Sequence, residues 1–160
     1  MAYDTSNNNK KVAVKILNDN LGDDEMALLN NEITIMNDLN HKHVVKYLSH
    51  GQKDYVKPSG TKSVSYIALE IAEKGELFDF IANTGAFCEE TARYYFKQLC
   101  SGLDDCHSVG VSHRDMKAEN CFMDENYNLK IGDFGFAASL KGGKADGNNL
   151  FSTLLGTPGY

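Results

Sequence analysis

The sequence lacks long hydrophobic runs and long runs of one charge. No apolar stretch approaches the ~20 residues that a membrane-spanning helix needs, and the polar, Asn-rich start of the chain predicts no secretory leader. The formal net charge is −6, whereas a nucleic-acid-binding protein needs a basic face. We therefore expect neither a membrane nor a nucleic acid as a partner.

The sequence also lacks cysteine patterns that bind metals or carry redox chemistry. Its four cysteines include no CxxC pair, and no histidines accompany them at zinc-finger spacing. We expect free thiols in a reducing environment, which places the protein in the cytoplasm or the nucleus. There is no internal repeat, and no P-loop GxxxxGK[ST] supports an unrelated nucleotide-binding fold.

The composition is that of one globular domain. Hydrophobic residues make up 42% of the 160 positions and charged residues 24%, which suffices for a hydrophobic core. Residues 1–11 lack apolar periodicity and are predicted to be a disordered lead-in. After them the periodicity predicts an α+β fold with a strand-rich first half and a helical second half. The predicted strands are Val12–Leu17, Val44–Ser49 and Val64–Ile71, and the predicted helices run from Asp23 or Asp24 to Leu39, over Glu76–Ala82 and over Thr91–Ser108. Short apolar segments broken by polar loops follow at Cys121–Met123 and Leu129–Ile131.

Two short motifs carry the strongest chemical signal, HRDMKAEN and, further along the chain, DFG. Phosphoryl transfer needs a hydroxyl-proton acceptor, a cation on the γ-phosphate and oxygen ligands for Mg²⁺. Asp115 would be the acceptor, Lys117 the cation, and Asn120 and Asp133 the metal ligands. Alternatively, the motifs are two unrelated loop segments, and either one alone is weak evidence. Their joint occurrence in this order favours the catalytic interpretation.

With these motifs in place, the chain resembles the eukaryotic protein kinase family. The stretch VAVK, which ends at Lys15, resembles the family's VAIK strand. The resemblance implies that Lys15 binds the α- and β-phosphates of ATP. It also implies that Glu32, on the first predicted helix, forms an ion pair with Lys15. Such a pair can act as a switch, because moving the helix breaks it.

The resemblance implies a partial, two-lobed kinase domain over residues 12–160. Residues 12–71 would supply a strand, a helix and two strands of the small lobe, and residues 72–75 the hinge. Residues 76–160 would begin the large lobe with two helices, the catalytic loop, DFG and the activation segment. No Gly-rich loop precedes residue 12 and no APE motif follows, so the sequence predicts a domain truncated at both ends.

The resemblance also assigns the remaining nucleotide-site residues, and it implies ATP and Mg²⁺ as cofactors. Leu69 would be the gatekeeper at the back of the adenine pocket. The backbone of Glu70 and of Ala72 would contact adenine, and Phe122 would pack against the ring. Glu76 would contact the ribose or a basic side chain of the substrate.

Regulation and substrate choice are implied in the same way. Thr153 matches the position that an activating kinase phosphorylates, and Arg114 would pair with that phosphate; alternatively, Thr153 is an ordinary loop threonine. Thr157 would hydrogen-bond Asp115 and Lys117, which indicates Ser/Thr rather than Tyr specificity. With Glu119, Glu76 would favour a protein substrate with an upstream basic residue.

Within the family, the segments GELF and GTPGY most resemble the calcium/calmodulin-dependent and AMP-activated kinase groups. The predicted function is transfer of the ATP γ-phosphate to Ser or Thr hydroxyls of proteins. The alternative is a non-catalytic, pseudokinase-like or interaction fragment. That alternative depends on the absence of the Gly-rich loop and of the rest of the large lobe from this sequence.

Overall fold

A computed structural model describes residues 1–5, 7–17, 22–58, 60–139 and 156–158. It has the α+β character predicted from the sequence. In chain order the strands are β1 (Ala2–Asp4), β2 (Lys10–Ile16), β3 (Tyr47–Lys57), β4 (Gly60–Glu70), β5 (Gly75–Glu76), β6 (Val111–Ser112), β7 (Cys121–Met123), β8 (Leu129–Ile131) and β9 (Ala138–Ser139). The helices are α1 (Asp23–Asp38), α2 (Leu77–Thr84) and α3 (Glu89–Ser108), with a 3₁₀ turn at Ala118–Asn120.

The first half of the chain forms an antiparallel sheet with the strand order β1-β2-β4-β3. Strand β2 pairs with β4 in a register that sets Lys15 opposite Ile67. Its β-branched residues favour an extended backbone, and Val12 packs inward with 5% exposure. The sheet therefore holds Lys15 against β4, on a strand that β1 pairs only at Lys10–Val12.

The prediction of a disordered lead-in over residues 1–11 is wrong. Ala2–Asp4 forms strand β1, which pairs antiparallel with β2, and β2 itself begins at Lys10. The segment has no apolar alternation because its residues are exposed or half-buried. Cross-strand backbone hydrogen bonds order it instead.

Strands β3 and β4 form a hairpin that is longer than the sequence predicts. Apolar alternation predicts strands over 44–49 and 64–71, whereas pairing continues to Lys57 opposite Gly60. The additional residues are mostly exposed polar ones, so hydrophobic periodicity does not detect them. A register irregularity between Tyr47 and Ser49 marks the end of β3 nearest the core.

Helix α1 begins at Asp23, as predicted, and packs one face against the body of the protein. Glu32, Ile35, Met36 and Leu39 are all at most 5% exposed. Their spacing of three, one and three residues corresponds to one face of an α-helix. The buried carboxylate of Glu32 therefore shares a helix face with core hydrophobic residues.

Helix α3 approaches strand β8 closely at a glycine. A Cβ atom on Gly102 would lie 2.8 Å from Ile131 Cδ1 and 2.9 Å from the carbonyl oxygen of His43. One turn earlier, Gln98 Oε1 accepts a hydrogen bond of 2.7 Å from the N–H of Leu129. Together these contacts fix the helix against the strand that precedes the DFG motif.

The loop after α1 connects the first sheet to the second half of the chain. Val44 forms a parallel bridge with Ile131, Val45 N donates to Ile131 O, and Ile131 N donates to His43 O. A single buried cluster spans both halves. It contains Ile35, Met36, Leu39, Val44, Cys106, Val111, Cys121, Met123, Leu129, Ile131, Phe134 and Ala137.

Most other element predictions are correct to within a few residues. The short apolar segments at residues 121–123 and 129–131 form strands β7 and β8, while α2 runs over 77–84 and α3 begins at Glu89. The two-residue strands β5, β6 and β9 were not predicted, because two residues carry no readable periodicity. None of the helices in the described part of the chain combines the length and apolar character needed to cross a lipid bilayer.

Candidate active site

A cleft of about 540 Å³ opens beside strand β2. Its lining includes eight of the predicted nucleotide-site residues: Lys15, Glu32, Leu69, Glu70, Ala72, Glu76, Phe122 and Asp133. The predicted magnesium ligand Asn120 is buried and does not line the cleft. The lining residues come from the first sheet, α1, the segment after β4, strand β7 and the DFG motif. The fold thus brings together side chains that are more than one hundred positions apart.

One side of the cleft is formed by an ion pair between β2 and α1. Lys15 Nζ lies 3.0 Å from Glu32 Oε1 and 3.1 Å from Oε2. The same ammonium group is 3.9 Å from Asp133 Oδ1. Because the Glu32 side chain is only 7% exposed while that of Lys15 is 45% exposed, the carboxylate holds the lysine stem and leaves its ammonium group accessible.

The residue Asp133 has a left-handed backbone conformation, with φ 56°. A non-glycine residue seldom adopts this region, and when it does the surrounding structure must hold it there. Here the neighbouring Gly132 N donates to Asn120 O at 2.9 Å, and the ring of Phe134 is fully buried. The carboxylate of Asp133 is 52% exposed and faces the cleft beside Lys15.

A second cluster is centred on the buried carboxylate of Asp115. Its Oδ2 accepts a hydrogen bond from Asn120 Nδ2 at 3.0 Å and lies 3.0 Å from Lys117 Nζ. Its Oδ1 accepts a hydrogen bond of 2.8 Å from the hydroxyl of Thr157, and Lys117 also donates to that hydroxyl. The hydrogen bonds predicted for Thr157 are therefore present.

These contacts determine the ionisation of the cluster. Burial by itself would raise the pKa of Asp115, but hydrogen bonds from Lys117, Thr157 and Asn120 outweigh it and hold the pKa below its usual value. The hydrogen bond to Asp115 raises the pKa of Lys117. At neutral pH the pair is a carboxylate and an ammonium ion.

The backbone of this loop is held by His113. The N–H of Asp115 donates to His113 Nδ1 at 3.3 Å, and His113 Nε2 lies 2.9 Å from Gly132 O. An N–H can only donate and a carbonyl can only accept, so the proton of the neutral ring is on Nε2. Burial lowers the pKa of His113, which favours this neutral form.

The ring of His113 also packs edge-on against Phe134, with 4.8 Å between the ring centroids. Both residues are buried, and Gly132, which accepts the His113 hydrogen bond, lines the cleft. The loop that carries Asp115 is therefore coupled through His113 to the segment that carries Asp133. This coupling sets the two clusters next to each other.

The guanidinium group of Arg114 contacts backbone, and the residue itself has φ 65°. Its Nε donates to Phe136 O at 2.7 Å and its Nη2 to Ala137 O at 3.4 Å. The predicted phosphate-bearing residue, Thr153, lies outside the described residues. The role of Arg114 as a phosphate ligand stays a prediction.

The apolar part of the cleft contains Leu69 and Phe122, as predicted. A Cβ atom on Gly132 would lie 2.8 Å from the Phe122 ring, so a glycine is required there for the ring to keep its place. The N–H of Glu70 donates to Lys46 O at 2.8 Å. An adenine contact by Glu70 would therefore have to use its carbonyl oxygen.

The donor set fits the magnesium ion that the sequence analysis predicts. The described residues contain no group of three His, Cys, Asp or Glu side chains that could hold a metal. However, Mg²⁺ keeps several waters and typically binds one or two carboxylates together with substrate phosphates. Asp133 would supply one carboxylate and Asn120 an amide oxygen, since the Nδ2 of Asn120 already donates to Asp115 O and Oδ2.

The comparison with known families agrees with this geometry. The family model described as "Protein kinase domain" matches residues 2–160 of the chain. The chain belongs to the protein kinase family. Members of this family use ATP and Mg²⁺ and act on protein substrates.

Several curated plant kinases are similar to this kinase domain. CBL-interacting serine/threonine-protein kinase 26 of Arabidopsis thaliana is 42% identical over 158 residues, covering 94% of this chain and 33% of the relative. CBL-interacting protein kinase 31 of Oryza sativa subsp. japonica is 40% identical over 155 residues, covering 96% of this chain and 32% of the relative. The chain thus spans about a third of the length of these relatives.

Some residues of the kinase cleft were missed by the sequence analysis. Met36, Val45, Ile71, Gly75, Asp79 and Gly132 also line it. Asp79 could have been predicted to line the cleft, because it follows Glu76 by three positions and i, i+3 residues share a helix face. Val45 had none, because its place in the cleft depends on its pairing with the distant strand β8.

Proposed function

We propose that this domain transfers the γ-phosphate of Mg·ATP to Ser or Thr hydroxyls of protein substrates. The observation that carries the proposal is the juxtaposition of two charged clusters. The Lys15–Glu32–Asp133 group lines the cleft. The ionised Asp115 is joined to it through Asn120, whose side-chain amide donates to Asp115 and whose backbone carbonyl oxygen accepts from the N–H of Gly132. Binding a triphosphate and positioning a hydroxyl nucleophile require these two kinds of site next to each other.

In this proposal Asp115 orients the substrate hydroxyl and accepts its proton. Its carboxylate is held by three donors, so it is preorganised and does not need to change rotamer when the substrate binds. Lys117 contributes a positive charge next to Asp115, where it would stabilise the transferred phosphoryl group. Thr157 fixes both side chains through one hydroxyl.

The nucleotide would be held by the residues of the cleft. Lys15 binds the α- and β-phosphates while Glu32 holds its ammonium group in place. The adenine ring packs against Phe122, with Leu69 as the gatekeeper at the back of the pocket and the backbone of Glu70 and Ala72 along its edge. Asp133 and Asn120 hold Mg²⁺, which when bound neutralises charge that develops on the phosphates.

The substrate is proposed to be a protein with a basic residue upstream of the phosphorylated position. Glu76 lines the mouth of the cleft, with Asp79 one helical turn further on, and Glu119 lies in the 3₁₀ turn before β7. Carboxylates of this kind pair well with a guanidinium group. The Arabidopsis relative is named a serine/threonine-protein kinase, which supports a hydroxyl acceptor on Ser or Thr.

Regulation by phosphorylation belongs to the same proposal. An activating kinase would modify Thr153, and the phosphate would pair with Arg114.

The enzyme would act in the cytoplasm or the nucleus, where its four free cysteines stay reduced.

The test is phosphotransfer by the chain with labelled Mg·ATP and two peptides that differ only in one upstream Arg. We expect label on Ser or Thr, faster transfer to the Arg peptide, and a loss of about 10²–10⁴-fold in kcat for Asp115→Asn. Asp133→Asn should weaken Mg·ATP binding, whereas Asp115→Asn should leave it within about twofold. Nucleotide binding without transfer would instead support a non-catalytic module, and the absence of both would contradict the proposal.

A further inference from the structure

A side chain on helix α1 contacts the segment that follows the DFG motif. Asn31 Nδ2 donates to the carbonyl oxygen of Ala137 at 3.1 Å, between residues 106 positions apart. Arg114 donates to the same carbonyl from the catalytic loop. One backbone oxygen therefore accepts hydrogen bonds from two elements that both carry site residues.

The carbonyl of Ala137 is a well-fixed acceptor. Ala137 is 1% exposed, and its own N–H donates to Phe134 O at 3.0 Å. The two residues that follow form strand β9, which pairs antiparallel with Val111–Ser112. A hydrogen bond to this oxygen consequently constrains whatever donates it.

The residue that donates from α1 immediately precedes Glu32. Successive residues on an α-helix are about 100° apart, so Asn31 meets the segment after DFG while Glu32 is buried toward Lys15. A helical turn is stiff, and rotating or withdrawing α1 would break both contacts at once. The two contacts hold one helix against two different parts of the site.

We infer that Asn31 is a positioning residue for the nucleotide site, an inference that rests on the proposed function. Its hydrogen bond to Ala137 holds α1 in the position at which Glu32 reaches Lys15. Because the amide donor and the carbonyl acceptor are uncharged, this restraint needs no phosphate and does not titrate. It acts through Glu32 and does not touch the nucleotide.

The expected effect of removing the Asn31 amide is the loss of one partly buried hydrogen bond. Losing it lowers the fraction of molecules with the Lys15–Glu32 pair formed, and the apparent nucleotide affinity falls with that fraction. The net contribution of one such bond corresponds to a factor of about two to ten. We expect a change of that size in the Kd for Mg·ATP.

The experiment compares three single variants. Asn31→Leu removes the donor but keeps branching at Cγ, and Asn31→Gln keeps an amide donor. Asn30→Leu introduces the same side chain at the neighbouring exposed position and is the matched control. We expect Asn31→Leu to raise the Kd for Mg·ATP about two- to tenfold. Asn31→Gln should restore at least half of the loss, and Asn30→Leu should stay within about twofold.

The same substitution in a Glu32→Gln background separates positioning from a general structural effect. If Asn31 acts through the ion pair, Asn31→Leu adds less than about twofold once the pair is already broken. An equal loss in both backgrounds, or an unchanged Kd for Asn31→Leu alone, would overturn the inference.

Hydrogen exchange measured without nucleotide distinguishes a failure of the inference about Asn31 from a failure of the proposed function. Asn31→Leu should accelerate amide exchange over residues 134–139, with partial recovery in Asn31→Gln. If the wild-type chain binds no Mg·ATP, the proposed function fails, and the exchange result alone decides whether Asn31 restrains this segment. Unchanged exchange in Asn31→Leu would overturn the restraint itself.

Discussion

Lys15 Nζ lies almost equally far from the two carboxylate oxygens of Glu32, at 3.0 and 3.1 Å. The pair joins strand β2 to helix α1, and only the carboxylate is buried. An arrangement of this kind orients a lysine without consuming its ability to bind an anion. It also makes the position of α1 a determinant of the site.

Breaking this pair should weaken nucleotide binding more than it weakens the fold. A charge-assisted hydrogen bond contributes about 1.5–3 kcal/mol, so we expect Lys15→Met to raise the Kd for Mg·ATP roughly 10- to 100-fold. Titration calorimetry would measure it. The matched control is Lys11→Met on the same strand, which breaks the exposed 3.4 Å contact with Glu73 and should change Kd less than about twofold. Equal effects of the two substitutions would contradict the assignment.

The carboxylate of Asp115 should give the chain an acid-sensitive component of stability. Its pKa in the folded protein lies below the ordinary value of 3.8, so ionised Asp115 stabilises the fold above that pH. This contribution is lost as the pH falls through the lower, folded-state pKa. The difference in unfolding free energy between wild type and Asp115→Asn should be constant above about pH 5 and shrink below pH 4.

Urea unfolding at a series of pH values would measure this difference. Thr157→Val removes one donor to the carboxylate and should reduce the shift without abolishing it, because Lys117 and Asn120 remain. A stability difference that grows as the pH falls would show that the pKa of Asp115 is raised and not lowered.

A buried lysine that pairs with a cleft residue should be important for stability. Lys130 is 7% exposed, and its ammonium group lies 3.0 Å from Glu70 Oε2 and from Lys42 O. Lys130→Met removes the charged partner of the Glu70 carboxylate, which keeps a 3.1 Å hydrogen bond from the N–H of Lys46. The substitution should cost about 2–4 kcal/mol, less than for a fully buried pair because Glu70 also keeps 29% exposure.

Replacing both members of the pair should recover much of that loss, because an apolar pair leaves no unpaired charge. Denaturant unfolding of Lys130→Met, Glu70→Met and the double variant would give the coupling. Lys11→Met serves again as the exposed-pair control, with an expected change under about 1 kcal/mol. Strict additivity of the two substitutions would contradict a direct interaction.

Adding one methyl group at Gly102 should destabilise the protein despite improving helix propensity. Ala gains about 1 kcal/mol over Gly within a helix, but here its Cβ would meet Ile131 Cδ1 at 2.8 Å and His43 O at 2.9 Å. Overpacking typically costs 1–3 kcal/mol, so we expect a net loss of about 1 kcal/mol in thermal or urea unfolding. Asp104→Ala, at an exposed site on the same helix, should change stability by less than about 0.5 kcal/mol. An increase in stability on Gly102→Ala would mean that α3 and β8 can separate freely.

Prediction from sequence succeeded where the information is local or carried by a motif. The start of α1, the strand around Lys15 and the family indicated by the HRD and DFG motifs follow from spacing, residue type and resemblance. It failed at β1, because backbone pairing orders that strand and its side chains carry no pattern. It also underestimated β3 and β4, whose outer residues are polar on both strands.

The sequence by itself determined which chemical groups this protein contains and which family of folds holds them. Only the tertiary structure decided that Asn31 meets Ala137 and that Lys130 meets Glu70. The members of these pairs are 106 and 60 positions apart. Local propensity does not predict contacts over such separations, because they form only after sheets, helices and loops have packed around a common core.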